Sequence, residues 1–438
     1  MFSHAEKVNR IAQQLKARKS SVPLTLKKKT VSHEVPKSGG HSNLDEKLDI
    51  SGLNEIIAID REQNICIAEP GATFAEIVDA AFKYGLVPFV VPELKTITVG
   101  GAVAGCSIES TSYKFGGFHD SCLEYEILTA KGDVLICTPD NENSLLFQML
   151  HGTFGTLGII TRIKFKLMPA KQFVKMKYEK YKNLAEFKNA IWQHYTSKDI
   201  DFMDGIIHSP SEYVLSAGNF VDNAPYTHSY DWVRVYFRST AKRTEDYLKT
   251  PDYFFRYNKG VTNVHPKSLI ARILFGWFIN SNITLNVVNV FKRFLPSGVI
   301  PITVDTFIPF SKMNAFMDWY EKELNHFPLW CVPYKIVRKY EWISGQFLEN
   351  VKDELFLDIA IYGLHKDNSE CCYRIIEEKL MELGAIKTLI STNLYSEKEF
   401  WSIWNRKNYD LVKQKTDPDN IFMNLYEKMC RTSSKSSV

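Results

Sequence analysis

A chain of 438 residues is too long for one hydrophobic core and divides, at roughly 150 residues per domain, into two or three. Its 54 Lys and Arg against 50 Asp and Glu leave a net charge of +4, too little over this length for a nucleic-acid partner, while 45% apolar and 24% charged residues exclude a disordered or fibrous chain. The eight cysteines contain no Cys-x-x-Cys and are irregularly spaced, so they define neither a metal site nor a disulfide framework and read as reduced thiols of a cytoplasmic protein.

Residues 1–20 read as a short amphipathic helix with Val8, Ile11 and Leu15 on one side. Polar residues interrupt its apolar runs, so it is neither a signal peptide nor a membrane span. The basic clusters at 18–19 and 27–29 read as solvated faces, compatible with weak peripheral contact with an anionic membrane. Apolar runs at 56–59 and 65–68 around a polar turn predict a hairpin. Thr73 and Glu76 then form a capping box for a helix carrying Phe74, Ile77, Val78, Ala81 and Phe82, stopped by Gly85. A second hairpin is predicted at 123–130 and 133–138 around Lys131-Gly132, and residues 161–167 alternate as a half-buried strand behind Gly152, Gly155 and Gly158.

From about residue 173 the texture becomes aromatic-rich α+β, with a strand predicted at 233–237 and a helix at 313–324. The boundary falls near Met168-Pro169-Ala170. The apolar run at 269–279 is too short to cross a bilayer and reads as a core helix or as a greasy rim for a lipid. The Ser/Lys-rich tail at 432–438 reads as disordered.

Residues 88–120 carry the chemistry. Gly100, Gly101 and Gly105 allow backbone N–H groups to approach an anionic ligand, and Thr98, Ser107, Ser110, Thr111 and Ser112 add neutral donors for phosphate and ribitol oxygens. Neither G-x-G-x-x-G nor G-x-x-x-x-G-K-[ST] occurs, so the pattern is not that of a Rossmann or Walker site.

Thr-Val-Gly-Gly at 98–101 resembles the corresponding segment of the vanillyl-alcohol-oxidase (p-cresol methylhydroxylase type) FAD-binding domain. Pro92-Glu-Leu before it and Ile108-Glu-Ser-x-Ser-Tyr-Lys-x-Gly116 after it resemble the Δ24-sterol reductases within that superfamily. The likeness runs from about Leu24 to Cys430, densely over 88–174, and takes in Gly155-Thr-Leu-Gly, Leu274-Phe-Gly-Trp, Phe327-Pro-Leu-Trp-Cys-Val-Pro and Glu399-Phe-Trp. It implies an α+β fold: an FAD-binding domain of two subdomains over 21–172, a substrate or cap domain over 173–390, and a segment 391–438 that returns to the FAD domain.

On this resemblance the cofactor is FAD, held by Ser38, Gly39, Gly40 and His41, by Thr98, Val99, Gly100, Gly101 and Gly105, by Ser107, Ile108, Glu109, Ser110, Ser112, Tyr113 and Gly116, and by Gly155, Thr156, Gly158 and Ile159. His41, in Ser-Gly-Gly-His, is where related oxidases carry a covalent flavin, whereas the sterol-reductase branch implies a non-covalent one. No metal is implied. The sterol enzymes show Tyr-Tyr-His-Arg-His where this chain has Tyr253-Phe-Phe-Arg-Tyr257, retaining Tyr253 and Arg256 and replacing both histidines. Another group must then move the proton; Tyr257, Arg256 and Tyr395 are the candidate catalytic residues, with His365 and Lys398 as further polar groups. The chain also departs from the eukaryotic sterol reductases in lacking their N-terminal hydrophobic segment.

The implied activity is flavin-dependent reduction of a C=C bond in a lipophilic or isoprenoid substrate, with NADPH as donor. Oxidation of an alcohol, as in the similar decaprenylphosphoryl-ribose oxidase, and flavin binding without turnover stay open beside it.

Overall fold

The computed structural model describes residues 2–19, 22–28, 46–231, 233–258, 260, 302–365 and 369–430. The expected loop at 36–42, the apolar run at 269–279 and the tail at 432–438 lie outside the described residues.

The first helix, His4–Ala17, opens on the capping box of Ser3 with Glu6 and buries Val8, Ile11, Ala12 and Leu15. It packs on a parallel pair, β1 (Leu24–Lys27) and β2 (Glu46–Asp49), in a small core with Leu24, Leu48, Leu53, Leu128, Ile159 and Phe422. His4 fastens the helix: its two ring nitrogens lie 2.9 Å from Glu69 and 2.8 Å from Glu126, while Lys7 reaches Glu69 at 2.9 Å.

The second sheet is built from β3 (Ile56–Asp60), β4 (Ile65–Ala68), β5 (Leu86–Pro88), β6 (Cys122–Leu128), β7 (Val134–Cys137) and β8 (Ile159–Pro169). Its order is β3-β4-β8-β6-β7, with β5 joined to the far end of β8. The alternation at 161–167 therefore belongs to an interior strand, with Ile163, Phe165 and Leu167 inside. Both expected hairpins form, β3 with β4 and β6 with β7. The helix Phe74–Phe82 has the Thr73–Glu76 capping box and ends before Gly85, whose φ is +70°.

The third sheet comprises β9 (Phe173–Tyr181), β10 (Phe202–Ser209), β11 (Glu212–Val221), β12 (Glu245–Lys249), β13 (Ile302–Pro309), β14 (Leu329–Lys335), β15 (Leu355–Leu364) and β16 (Ile386–Lys387). They run in the antiparallel order β12-β9-β11-β10-β14-β15-β13-β16. Helices Leu184–Ser197, Met313–Glu323 and Ser369–Leu383 share one core with Met203, Leu215, Cys331, Ile359 and Val304. The opposite sheet face, with Met176, Phe202, Val214, Trp330, Val332 and Ala360, shares a core with the cofactor-side sheet. Two layers thus face each other across an interior boundary, and any site between them is walled by both.

One element differs from expectation. Residues 233–237 are not a strand: the Asp231 carboxylate accepts the amides of Val233 and Arg234, both at 2.8 Å, and the chain turns into a helix at Tyr236–Thr240. A local side-chain bond outcompetes the β propensity of the segment. Among the described residues no helix is long and apolar enough to cross a membrane. The eight cysteines, all among the described residues, form no disulfide with one another.

Hydrogen bonds to Glu126 and Glu69 raise His4 from 6.5 to about 9 against the opposing effect of burial. Because the folded value is the higher, the stabilisation is full below pH 6.5 and is lost as the pH rises through about 9. Thermal melts of the wild type should lose roughly 1–3 kcal/mol more across that interval than melts of His4→Gln. Parallel curves for the two proteins would show that His4 does not carry the effect.

Candidate functional site

Thr98 ends an extended segment, and its hydroxyl accepts the Gly101 amide at 3.2 Å, starting the short helix Val99–Gly105. The amides of Val99 and Gly100 donate to the carbonyls of Ala72 and Pro70 at 3.0 and 2.9 Å, which presses the turn onto Pro70. A Cβ on Gly100 would fall 2.6 Å from the Pro70 Cβ, so that glycine is required by the fold itself. Gly101 is different. A Cβ there would meet only Thr98 Oγ1, at 3.2 Å, so the side of the turn away from Pro70 opens on space that a side chain would fill.

The second loop of the cradle runs from Gly152 to Gly158. Gly152, Phe154 and Gly155 all have left-handed φ values, +67°, +51° and +72°. Phe154, the one non-glycine of the three, is strained there, and such strain concentrates where the chain is shaped for a ligand. Among the described residues the amides of Gly155 and Leu157 have no backbone acceptor, whereas Thr156 donates to Thr153 at 3.0 Å. Two lysines from the last helices hold the loop from behind: Lys413 Nζ donates to the Thr156 carbonyl at 2.9 Å, and Lys428 Nζ to the Phe154 carbonyl at 2.6 Å. Ile159 follows at the start of β8.

Between the loops, the segment 107–116 is held by the protein. The Ser107 amide donates to the Ala102 carbonyl at 3.0 Å, and the Ser107 carbonyl accepts from Phe118 at 2.9 Å. The Ser112 hydroxyl accepts the Glu109 amide at 3.0 Å, the Ser110 hydroxyl accepts from Tyr253 at 2.9 Å, and Tyr113 donates to the Ile200 carbonyl. Gly116 has φ +75°, and a Cβ there would strike Asp120 Oδ2. Ile108 is half-buried, and its amide has no backbone acceptor among the described residues. Ser38, Gly39, Gly40 and His41 lie outside the described residues.

The structure brings Arg256 and Tyr257 together on one carboxylate. Arg256 Nη2 lies 3.0 Å from Glu109 Oε1 and 3.2 Å from Asp204 Oδ2, and all three side chains are buried. Asp204 Oδ2 also accepts from the Tyr257 hydroxyl at 2.7 Å and from Trp330 Nε1 at 3.0 Å. Burial and the neighbouring Asp204 push the Tyr257 phenol well up, so its proton stays on that bond. Tyr395 is elsewhere: its ring lies 5.6 Å from Lys387 Nζ, which is paired with Glu377 at 2.8 Å. His365 is exposed after β15 and Lys398 is exposed on the helix Glu397–Ile403.

Sequence reasoning passed over a second group on the same boundary. Glu93 stands five residues before Thr98; Asp305 is on β13, and Asp358 and Tyr362 are on β15, on the sheet face opposite the three covering helices. Glu93, Asp305 and Tyr362 are half-buried. The Tyr362 hydroxyl donates to Asp305 Oδ1 at 2.5 Å, and Phe307 on the same face is half-buried beside them. Asp358 is 3% exposed, and its Oδ1 has no partner among the described residues. Burial, with the charges of Glu109 and Asp305, pushes the Glu93 carboxyl up to about 8 against the pull of Arg256. Burial likewise raises Asp305 to about 6. The available signal was a polar residue on the inward side of an otherwise apolar strand at 302–309 and again at 355–364. A groove of about 470 Å³ lies beside Phe82, Lys95 and Phe255, and no cradle residue lines it.

A glycine turn with space in front of Gly101 and a second glycine loop with two unengaged amides suit an extended dinucleotide, and residues 5–138 match the FAD binding domain family. The protein is an FAD-linked oxidoreductase with a domain of the p-cresol methylhydroxylase type. Well beyond that domain it is similar to the Delta(24)-sterol reductases. It is 25% identical to the Homo sapiens enzyme over 404 residues, 87% of this chain and 77% of that one. To the Pisum sativum enzyme it is 24% identical over 496 aligned positions, 99% and 85% of the two chains. Cytokinin dehydrogenase 9 of Oryza sativa subsp. japonica is 28% identical over 141 residues, 32% of this chain and 27% of that one.

Gly101→Val should fold and lose the flavin absorbance, whereas Gly100→Ala should lower stability by roughly 1–3 kcal/mol through its collision with Pro70. Flavin retained at full occupancy in Gly101→Val would place the cofactor away from this turn. Arg256→Ala leaves Glu109 and Asp204 buried without their cation and should cost about 3–5 kcal/mol in denaturant titrations. A change below about 1 kcal/mol would show that water replaces the guanidinium.

Proposed function

We propose that this protein reduces a carbon–carbon double bond in a lipophilic substrate of the sterol or isoprenoid kind, with non-covalent FAD and with NADPH as the electron donor. The supporting observation is that the likeness to the Delta(24)-sterol reductases covers the eight-stranded sheet as well as the cradle, so it is not confined to the cofactor domain. FAD, when bound, supplies a hydride at its N5 atom.

The chain's own residues supply the rest. Thr98, Gly101, Ile108 and the Gly152–Gly158 loop hold the cofactor at the boundary between the sheets. The β10, β14, β15 and β13 face closes over it and keeps water out with Trp330, Val332 and Phe307. Arg256 and Tyr257 act as positioning residues: they fix Glu109 and Asp204, and through Glu109 the 107–116 segment of the cradle. A cytoplasmic protein that meets its lipid at a membrane surface is the setting that suits such a substrate.

Three measurements on the purified holoprotein test the reading. Acid precipitation should leave the flavin in the supernatant. NADPH should bleach it without oxygen, and a Δ24-unsaturated sterol should then restore the yellow colour. Bleaching by an alcohol and indifference to the sterol would instead establish an alcohol dehydrogenase. Flavin that remains with the pellet, and is lost in His41→Ala, would establish a covalent bond.

A further inference from the structure

We propose that Asp305 and Asp358 form the polar end of the substrate site and take a hydroxyl group there, so that the lipid this protein acts on is an alcohol held by its oxygen, with Tyr362 positioning Asp305. The inference rests on the proposed lipophilic substrate and adds the polar group that substrate carries. Across the ladders Asp358 pairs with Phe307 on β13 and with Val332 on β14, so the three side chains stand in one row on the face turned to the cofactor-side core. Asp305 pairs with Ala360, which makes it the diagonal neighbour of both Asp358 and Tyr362, and it accepts the Tyr362 hydroxyl at 2.5 Å. Trp330 and Val332 are buried, whereas Asp305, Phe307 and Tyr362 are only half-buried, so the described residues leave this part of the face uncovered. Behind it Asp358 is 3% exposed, and its Oδ1 has no partner among the described residues.

This patch borders the cofactor domain on two sides. The Thr388 amide donates to the Asp305 carbonyl at 3.0 Å, and two residues later Ile390 Cδ1 lies 3.5 Å from where a Cβ on Gly105 would stand, at the end of the glycine turn. On the other side the ring centres of Phe307 and Tyr334 are 5.5 Å apart. From Tyr334 a hydroxyl bond of 2.5 Å runs to Tyr340, and one of 2.8 Å runs on to Asp120, just after the 107–116 segment of the cradle. The polar patch therefore stands against the same boundary as the cofactor loops.

A buried carboxyl oxygen without a hydrogen bond costs the fold free energy and is kept where a ligand supplies the missing bond. Around these two carboxyls the face carries Phe307, Val332 and Ala360, so the ligand that fits is apolar apart from one hydrogen-bonding group. A hydroxyl suits the patch in either protonation state, because it donates to a carboxylate and accepts from a carboxyl; an ammonium suits only the carboxylate. Burial raises Asp305 to about 6 and Asp358 well above its usual value, which favours the hydroxyl over a cation. The hydroxyl is held and not oxidised, and the product keeps it.

The full-length holoprotein is compared as wild type, Asp305→Ala, Tyr362→Phe, Asp358→Asn and Asp358→Val, with a Δ24-unsaturated sterol and the same sterol lacking its hydroxyl. The wild type should reoxidise with a KM roughly 10- to 100-fold lower for the alcohol and a similar kcat for both. That gap should close in Asp305→Ala and Asp358→Val and narrow in Tyr362→Phe. Without any substrate, Asp358→Asn and Asp358→Val should melt at or above the wild-type Tm, because each removes a buried carboxyl that the fold leaves unpartnered. A gap that survives in both Asp305→Ala and Asp358→Val overturns the hydroxyl site; so do two Asp358 variants that both melt below the wild type, which would make the carboxyl a structural one. Flavin that neither sterol reoxidises overturns the alkene-reduction reading alone. The site is then decided by ligand melts, in which the sterol alcohol should raise the wild-type Tm more than the deoxy sterol does and should lose that advantage in Asp358→Val. A wild type that does not distinguish the two compounds in KM or in Tm overturns the proposal, and tighter binding of the corresponding amino sterol overturns it in favour of a cation.

Discussion

The guanidinium of Arg256 is the joint on which the site depends. It lies between Glu109, from the segment that follows the cradle, and Asp204, from the interior of the eight-stranded sheet, and its carbon sits 4.2 Å from the ring centre of Tyr253. Residues far apart in the sequence are thereby held in one dry cluster, where each charge is tolerable only while the others are present. The Ser110–Tyr253 and Tyr257–Asp204 hydrogen bonds repeat the connection on either side of it. The cofactor loop and the sheet above it consequently have one relative position.

The same face has an uneven electrical character. Beside Arg256 the carboxylates have a cation and several donors; on β13, Asp305 accepts from the Tyr362 phenol. On the cofactor side, burial pushes His119 and His151 down, so both imidazoles are neutral and add no positive charge. The protein thus sets its arginine against the acids at one end of the boundary, while at the other burial raises Asp305 and Asp358.

Much of this could be read in the chain. The capping box at Thr73 and Glu76, the two hairpins and the glycine turn are local, and short-range rules specify them. Strand 233–237 failed because one Asp231 side chain captured two amides, a competition that propensity does not register. At the site, sequence drew attention to Arg256 and Tyr257, but their placement on Asp204 depends on a strand more than fifty positions earlier. Glu93 was inside the most informative stretch and still gave no sign of its character, because what raises its carboxyl is burial, with Glu109 and Asp305 adding to it, and only the folded chain supplies these.

The final helices have a bearing on how the protein is made. Leu24 at the start of the cofactor domain donates its amide to Ile421 at 2.9 Å, and Lys413 and Lys428 grip the carbonyls of the glycine loop. The cradle is therefore assembled from the two ends of the chain, and on the ribosome its amino-terminal strands emerge long before the lysines that shape the loop. The glycine loop thus takes its final shape at the end of biosynthesis: a nascent chain that stalls in the cap still lacks both lysines that hold it.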